Sequence, residues 1–394
     1  MSNTLKLGNG QWATGKDTLL GYNSENNNIK PLPFSFSRDS SATVVNKDGL
    51  IETVGSGKPR IDFKDNTKGA LLLEPERRNI VLTSASGTYG NNPASETNII
   101  SPDGTNNAVI PTPNGNSDRY QYTISGGTYS TNTKLAYSWY RKRISTPIDV
   151  SKIGDLLLAS IQNATQVGST TKIESDVNGF DRFQAIFNIT DGSATSIIRG
   201  YFGSVLGIGN SSVAYWGHQV EQGSYATSYI PTSGSAVTRV ADSCSNGAND
   251  QVINSTEGVL YYEATYIDGS DYNSITVSNS SGSEKSRTWY DDTNLIFASY
   301  VNNVNQTFIA YPIFKNINYK IAIRYKLNDF ALYVNGNKAT NIVVNLGGVS
   351  PQNSYNKLSF NSGDIYSKFF GNIKDLKLYN TALTDQELIA LTTI

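Results

Sequence analysis

Between Lys320 and Val334 apolar and polar side chains alternate with a period of two. In the run KIAIRYK, Ile321, Ile323 and Tyr325 fall on one face and Lys320, Ala322, Arg324 and Lys326 on the other, which predicts a half-buried strand. FALYV repeats the pattern with Phe330, Leu332 and Val334. Asn335-Gly336 then supplies the two positive φ angles that a type I′ hairpin turn needs, so a return strand is expected over 339–344. Further strands are predicted over 259–267 and 373–379. A helix is predicted only at the end, where Thr384 and Glu387 have capping-box spacing and Leu388, Ile389 and Leu391 supply a short apolar face.

The same signal, broken by Gly, Asn and Ser clusters, recurs over 120–124, 135–143, 156–161, 183–189 and 196–202. Upstream, Val44 and Val45, a polar apex at 46–49, and Leu50, Ile51 and Val54 read as a compact hairpin. In the segment 216–242, Pro231 pushes Ile230 toward an extended conformation and removes a ladder donor, which places it at a sheet edge or outside the sheet. Strand and helix never alternate as a parallel α/β sheet requires, and no heptad run is long enough for a coiled-coil stalk. The expected fold is all-β: an N-terminal β-hairpin-rich segment (1–78), two antiparallel β-sandwich (jelly-roll) domains (79–242 and 257–394), and one short C-terminal helix. The polar, Gly/Asn-rich stretch SCSNGANDQVINST, 243–256, is the expected linker.

Charge narrows the function classes. Lys and Arg number 32 against 33 Asp and Glu, with no basic run to follow a phosphate backbone, so nucleic acid is not an expected partner. No apolar stretch approaches the roughly 20 residues that span a bilayer, and the first residues lack a basic region followed by an apolar core. Membrane insertion and export are therefore not expected. With one cysteine, Cys244, the chain can form no internal disulfide, which suits synthesis and assembly in a cytoplasm.

Four segments resemble those of tailed-bacteriophage virion proteins, in particular fibre and appendage proteins of phages that infect Bacteroidetes-type hosts. They are LGNGQWATGKDTLLGYN (7–23), FSFSRDSSATVVNKDGLIETVGSGKPRIDF (34–63), GALLLEPERRNIVLTS (69–84) and WGHQVEQGSYATSYIPTSGSAVTRVAD (216–242). The stretch from 255 onward resembles the laminin G-like or concanavalin A-like lectin jelly roll, through YVNGNK (333–338) and GNIKDLKLYNTALTDQEL (371–388). The resemblance implies a tail-fibre or head-fibre protein in which 1–78 docks to the particle, 79–242 is a jelly roll like a carbohydrate-binding module, and the lectin-like domain faces the host. It further implies other virion proteins and host surface glycan as partners, a homotrimer, and a virion location after assembly in the host cytoplasm.

Catalytic chemistry finds little support. His218 is the single histidine, which excludes multi-histidine zinc sites, and no nucleophile elbow accompanies it. Jelly-roll glucanases carry a Glu-x-Asp-x-x-Glu strand; the nearest string here, ESDVNG from Glu174, ends in Gly where the second Glu belongs. No enzyme activity and no cofactor are expected. The alternatives are a surface-polysaccharide depolymerase and a purely structural decoration protein.

Sugar recognition needs an aromatic face and carboxylates or amides for hydroxyls. Two loops offer both: Trp289, Tyr290, Asp291 and Asp292 in WYDD, and Asp271 with Tyr272 in DGSDYN. Asp268 and Asp271 are the first candidates for calcium. Trp139 and Trp216 are expected in the core. Within the phage-like segments, Arg38, Arg60, Trp216, Tyr229, Pro231 and Arg239 are structural candidates, the arginines as rigid donor forks that lock loops between domains or subunits.

Overall fold

The computed structural model describes residues 5–12, 20–21, 32–64, 66–85, 95–110, 119–123, 129–144, 160–192, 197–201, 213–267, 273–363 and 367–394. Every pairing between its strands is antiparallel, a lone parallel bridge joins Ser274 to Lys368, and the only helix among the described residues is Asp385–Thr392. Its capping box forms between Thr384 and Glu387, but the buried residues are Leu388 and Thr392, while Ile389 lies 43% exposed and off the apolar face.

The C-terminal sandwich opposes an eight-stranded and a six-stranded sheet. The eight-stranded sheet is built on Asn318–Lys326, Glu257–Tyr266 and Gly371–Tyr379. The six-stranded sheet runs from Asn341–Asn345 through Val304–Pro312, Asn294–Val301, Lys285–Tyr290 and Asn273–Ser278 to Lys357–Ser359. Alternation fills the space between them: Ile321, Ile323, Leu332, Leu376 and Leu378 from one sheet meet Ile275, Val277, Leu295, Phe297 and Ile309 from the other. The predicted return strand after Asn335-Gly336 is divided. Asn337–Lys338 closes the hairpin, and the chain then crosses to the other sheet as Asn341–Asn345.

The domain boundaries differ from the expected ones. Leu5–Gly8 and Ala70–Leu73 both pair with Gly371–Tyr379, and Arg60–Asp62 pairs with Ala70–Leu73, so three N-terminal strands complete the C-terminal sheet. The reason is physical: Leu5, Leu7, Leu71 and Leu73 alternate into the same core, and Gly371–Tyr379 would otherwise present an unpaired edge. The 1–78 segment is thus not an independent docking piece. Nor is 243–256 a linker, because Ser243–Ser245 pairs with Ser35–Ser37 and Cys244, Val252 and Ile253 are buried in the C-terminal core.

The central unit holds a six-stranded sheet ordered Ser95–Ile99, Ala108–Ile110, Val213–Gln222, Lys134–Arg143, Phe180–Ile189 and Ala164–Val177, beside a three-stranded one. Both faces of the six-stranded sheet are covered. Tyr137 and Trp139 pack on one side with Phe187 and Tyr215, and Tyr140 and Trp216 pack on the other with Tyr229 and the hairpin residues Val45 and Ile51. The hairpin Ala42–Val45/Ile51–Val54 therefore roofs the central sheet, while strands from the same segment extend the C-terminal one.

Candidate functional site

The aromatic loop singled out in the sequence is not an open platform. Alternation along Lys285–Tyr290 sends Tyr290 into the core, at 3% exposure, and Trp289 to the opposite face at 6%. There Phe308 packs edge-on at 5.8 Å and the Arg287 guanidinium covers the indole at 4.3 Å. Asp291 spends one oxygen within its own turn, accepting from the backbone N–H of Thr293 (3.2 Å) and of Asn294 (2.8 Å) and from the Thr293 hydroxyl. Asp292 adopts φ +73° at the apex, and its carbonyl accepts from the Tyr290 hydroxyl at 2.7 Å. WYDD is a hairpin turn with a packed indole, and no ring face remains for a sugar to stack on. Asp268, Asp271 and Tyr272 lie outside the described residues. Among the described residues no group of three or more His, Cys, Asp or Glu could hold a metal ion.

His218 is 1% exposed, with its Nδ1 2.8 Å from the Tyr137 hydroxyl, and burial lowers its pKa to about 3. It is a neutral core histidine near neutral pH.

Three of the phage-like segments, 34–63, 69–84 and 216–242, converge on one buried charge cluster. Arg38 donates to Asp242 Oδ1 at 3.0 Å, and Arg60 donates to Asp242 Oδ2 at 2.5 Å and to Glu74 at 2.7 Å. Arg239 donates to Glu74 at 2.6 Å and to the Pro75 carbonyl at 2.6 Å. Ser228 adds its N–H and hydroxyl to Glu74. Burial pushes the Glu74 pKa up, but Arg239, Arg60 and Ser228 outweigh it and hold the carboxyl well below the usual range. These arginines tie the N-terminal segment to the chain that leaves the central sheet. Tyr229, 4% exposed, lies against Trp216 at 4.4 Å and shares a 2.6 Å hydrogen bond with Ser84. Pro231 is exposed and stands outside any strand.

Beside this cluster lies a cavity of about 540 Å³, at the meeting point of hairpin, central sheet and C-terminal sheet. From the N-terminal segment it takes Asp62 and Lys64; from the central unit Lys172, Glu174, Gln184 and Tyr225; from the C-terminal sandwich Asn316, Asn372 and Lys374. Its carboxylates differ in state. Glu174 accepts from Arg182 (3.0 Å) and from Tyr140 (2.6 Å), with Lys64 at 3.4 Å. Burial alone would raise its pKa; Lys64, Arg182 and Tyr140 bring it down to about 2. Asp62 accepts from the N–H of Val45 at 3.0 Å and of Lys64 at 3.3 Å. For Asp62 burial prevails over Lys64 and those hydrogen bonds, and the pKa rises to about 6.

Of the residues gathered here, sequence reasoning considered only Glu174, as the start of the incomplete glucanase-like string. Asp62 and Tyr225 sit inside the two long signature segments; Asp62, between Ile61 and Phe63, is a polar residue flanked by apolar ones, which was a usable signal, whereas Tyr225 lies in a polar run that marks nothing. Asn372 and Lys374 are legible only as the outward positions of an alternating strand whose other face is apolar.

No protein-family model matches the chain, and no curated protein matches it. Among solved structures, the chain is similar to the CBM40 of the Ruminococcus gnavus IT-sialidase at 13% identity, covering 36% of this chain and 84% of that one with a TM-score of 0.30. It is also similar to a heptameric SAP-like pentraxin from Limulus polyphemus, at 15% identity over 37% of this chain and 72% of that one with a TM-score of 0.30. Mouse laminin alpha1 domains LG4-5 align at 10% identity over 69% of this chain and 92% of theirs, with a TM-score of 0.25. At these scores the function has to be argued from this chain's own geometry.

Proposed function

We propose that the chain is a phage virion appendage protein, of tail-fibre or head-fibre type, that binds host surface glycan in the cavity between its three parts. The observation that carries the reading is the lining: carboxylate, amide, ammonium and phenol groups from three structural units converge on a space of about 540 Å³. That size suits one or two sugar rings, and that mixture of donors and acceptors suits their hydroxyls. The buried arginine cluster makes the junction rigid, which preorganises the site. The phage-like segments supply the virion context, with assembly in the host cytoplasm. In a homotrimer on a particle, each weak contact would gain from effective concentration.

One observation favours turnover instead: an acid held near 6 and a carboxylate held near 2 line the same cavity. Against it, both Glu174 oxygens are engaged by Arg182 and Tyr140, which fits a structural carboxylate better than a nucleophile or base. Binding without cleavage is the function we assign.

The test is saturable binding of the full chain to a panel of bacterial cells, with competition by polysaccharide released from those cells and reducing ends followed in parallel. Competed binding with no new reducing ends supports the assignment. Release of oligosaccharide would make the protein a depolymerase, and no binding to any cell would leave it a structural virion component.

A further inference from the structure

We propose that the sugar taken by the junction cavity is an acidic one, its carboxylate held by Lys374 and its hydroxyls by Tyr225 and Asn372. This rests on the glycan assignment above and adds the chemical class of the ligand.

Lys374 reaches the cavity through a β-bulge. Along the pairing of Gly371–Tyr379 with Glu257–Tyr266, Glu263 faces Asp375 and Ala264 faces Ile373, which leaves Lys374 without a partner position. An extra residue of this kind bends the strand and re-aims its side chain. Asn372 and Lys374 line the cavity, while Ile373 between them is fully buried in the sandwich core. The Lys374 ammonium makes no ion pair among the described residues.

The second observation is a pair of polar atoms left unsatisfied. Tyr225 is 8% exposed and its buried hydroxyl has no hydrogen-bond partner; Asn372 Oδ1 is buried and unpartnered as well. Each such atom forfeits its hydration, and both residues line the cavity, so a ligand hydroxyl that reached them would recover that loss. A ligand hydroxyl can donate to Asn372 Oδ1, and another can exchange a hydrogen bond with the Tyr225 hydroxyl, which both donates and accepts.

Charge sets the class. Glu74 is neutralised by Arg60 and Arg239, and Glu174 by Arg182 and Lys64. That leaves one carboxylate, Asp62, against two ammonium groups, Lys374 and Lys172. Lys172 has only a 3.5 Å pairing with Asp181, both about half exposed. The charge still open to a ligand is positive, and an ammonium beside unpaired hydrogen-bonding groups fits a sugar carboxylate.

The experiment is calorimetric titration of the full chain with hexuronate-containing oligosaccharides and with the same oligosaccharides after reduction of the carboxyl to hydroxymethyl. Wild type, Lys374→Gln and Tyr225→Phe are compared, with circular dichroism confirming that each is folded. Wild type is expected to prefer the acidic form by about tenfold or more. Lys374→Gln should abolish that preference by weakening the acidic form at least about tenfold more than the reduced one, whereas Tyr225→Phe should weaken both forms several-fold. Equal affinity for the two forms, or a preference untouched by Lys374→Gln, overturns the acidic-sugar inference and leaves the glycan assignment standing. Binding that neither variant alters places the sugar elsewhere and overturns this site. A folded chain that binds neither form but binds other glycans refutes the acidic class, and one that binds none removes the glycan assignment itself.

Discussion

Replacing Asp62 by Asn should stabilise the protein above pH 6 and do nothing for it below pH 4. Asp62 is 9% exposed, and its Oδ1 accepts from the N–H groups of Val45 and Lys64, bonds that an asparagine carbonyl can keep. Its pKa in the fold is about 6 against 3.8 for a free aspartate. A folded-state value above the unfolded one means that the native state binds the proton more tightly. The resulting stability is fully present below the unfolded value and is lost as pH rises through the folded value. The gap corresponds to roughly 3 kcal/mol of destabilisation by the ionised group. Asparagine carries no charge to desolvate, so the variant should be more stable than wild type by roughly 1–3 kcal/mol at pH 8. The advantage should shrink between pH 6 and pH 4 and vanish below that. Urea unfolding followed by fluorescence of the buried Trp139 and Trp216 reads the difference, and subtracting the two proteins cancels the titration of every other group. A variant less stable than wild type at pH 8, or a difference that does not vary with pH, would refute the reasoning.

Glu74→Gln should cost at least about 3 kcal/mol, since it leaves Arg239 buried without its carboxylate and Arg60 with Asp242 alone; loss of less than 1 kcal/mol in the same urea assay would show that the cluster does not bind the parts together. Residues 255–394 expressed alone should fail to give a cooperative unfolding transition, because they lack Leu5–Gly8, Arg60–Asp62, Ala70–Leu73 and the core residue Cys244. A stable, cooperatively unfolding fragment would contradict the shared sheet. Cys244, 2% exposed and with its thiol pKa raised by burial, should be inert to a thiol reagent in the native protein and react fully in denaturant; rapid labelling of the native chain would argue against its place in the core.

Local pattern made much of the fold readable. Alternation over 320–334 and 373–379 and the capping box at Thr384 are short-range signals, and each element formed close to its predicted bounds. The fourteen-residue strand Ala164–Val177 was missed because its residues are mostly polar and exposed, so nothing marks an apolar face. Domain boundaries failed for a different reason. A linker was inferred from the Gly and Asn content of 243–256, but Cys244, Val252 and Ile253 are sparse apolar residues that nonetheless reach a core. That Ala70–Leu73 extends a sheet built from residues 300 positions later has no local signature at all. The site followed suit: WYDD has the composition of a sugar platform, and strand alternation together with Phe308 and Arg287 closes it. Tyr225, Asn372 and Lys374 meet only through long-range pairing.

The most direct test of glycan binding at the junction is diffraction from crystals of the full chain grown with a bound oligosaccharide. The account predicts a sugar ring in the cavity, within hydrogen-bonding distance of the Tyr225 hydroxyl and Asn372 Oδ1. Sugar found instead at the Asp291–Asn294 turn, or anywhere else on the surface with the cavity empty, would contradict it.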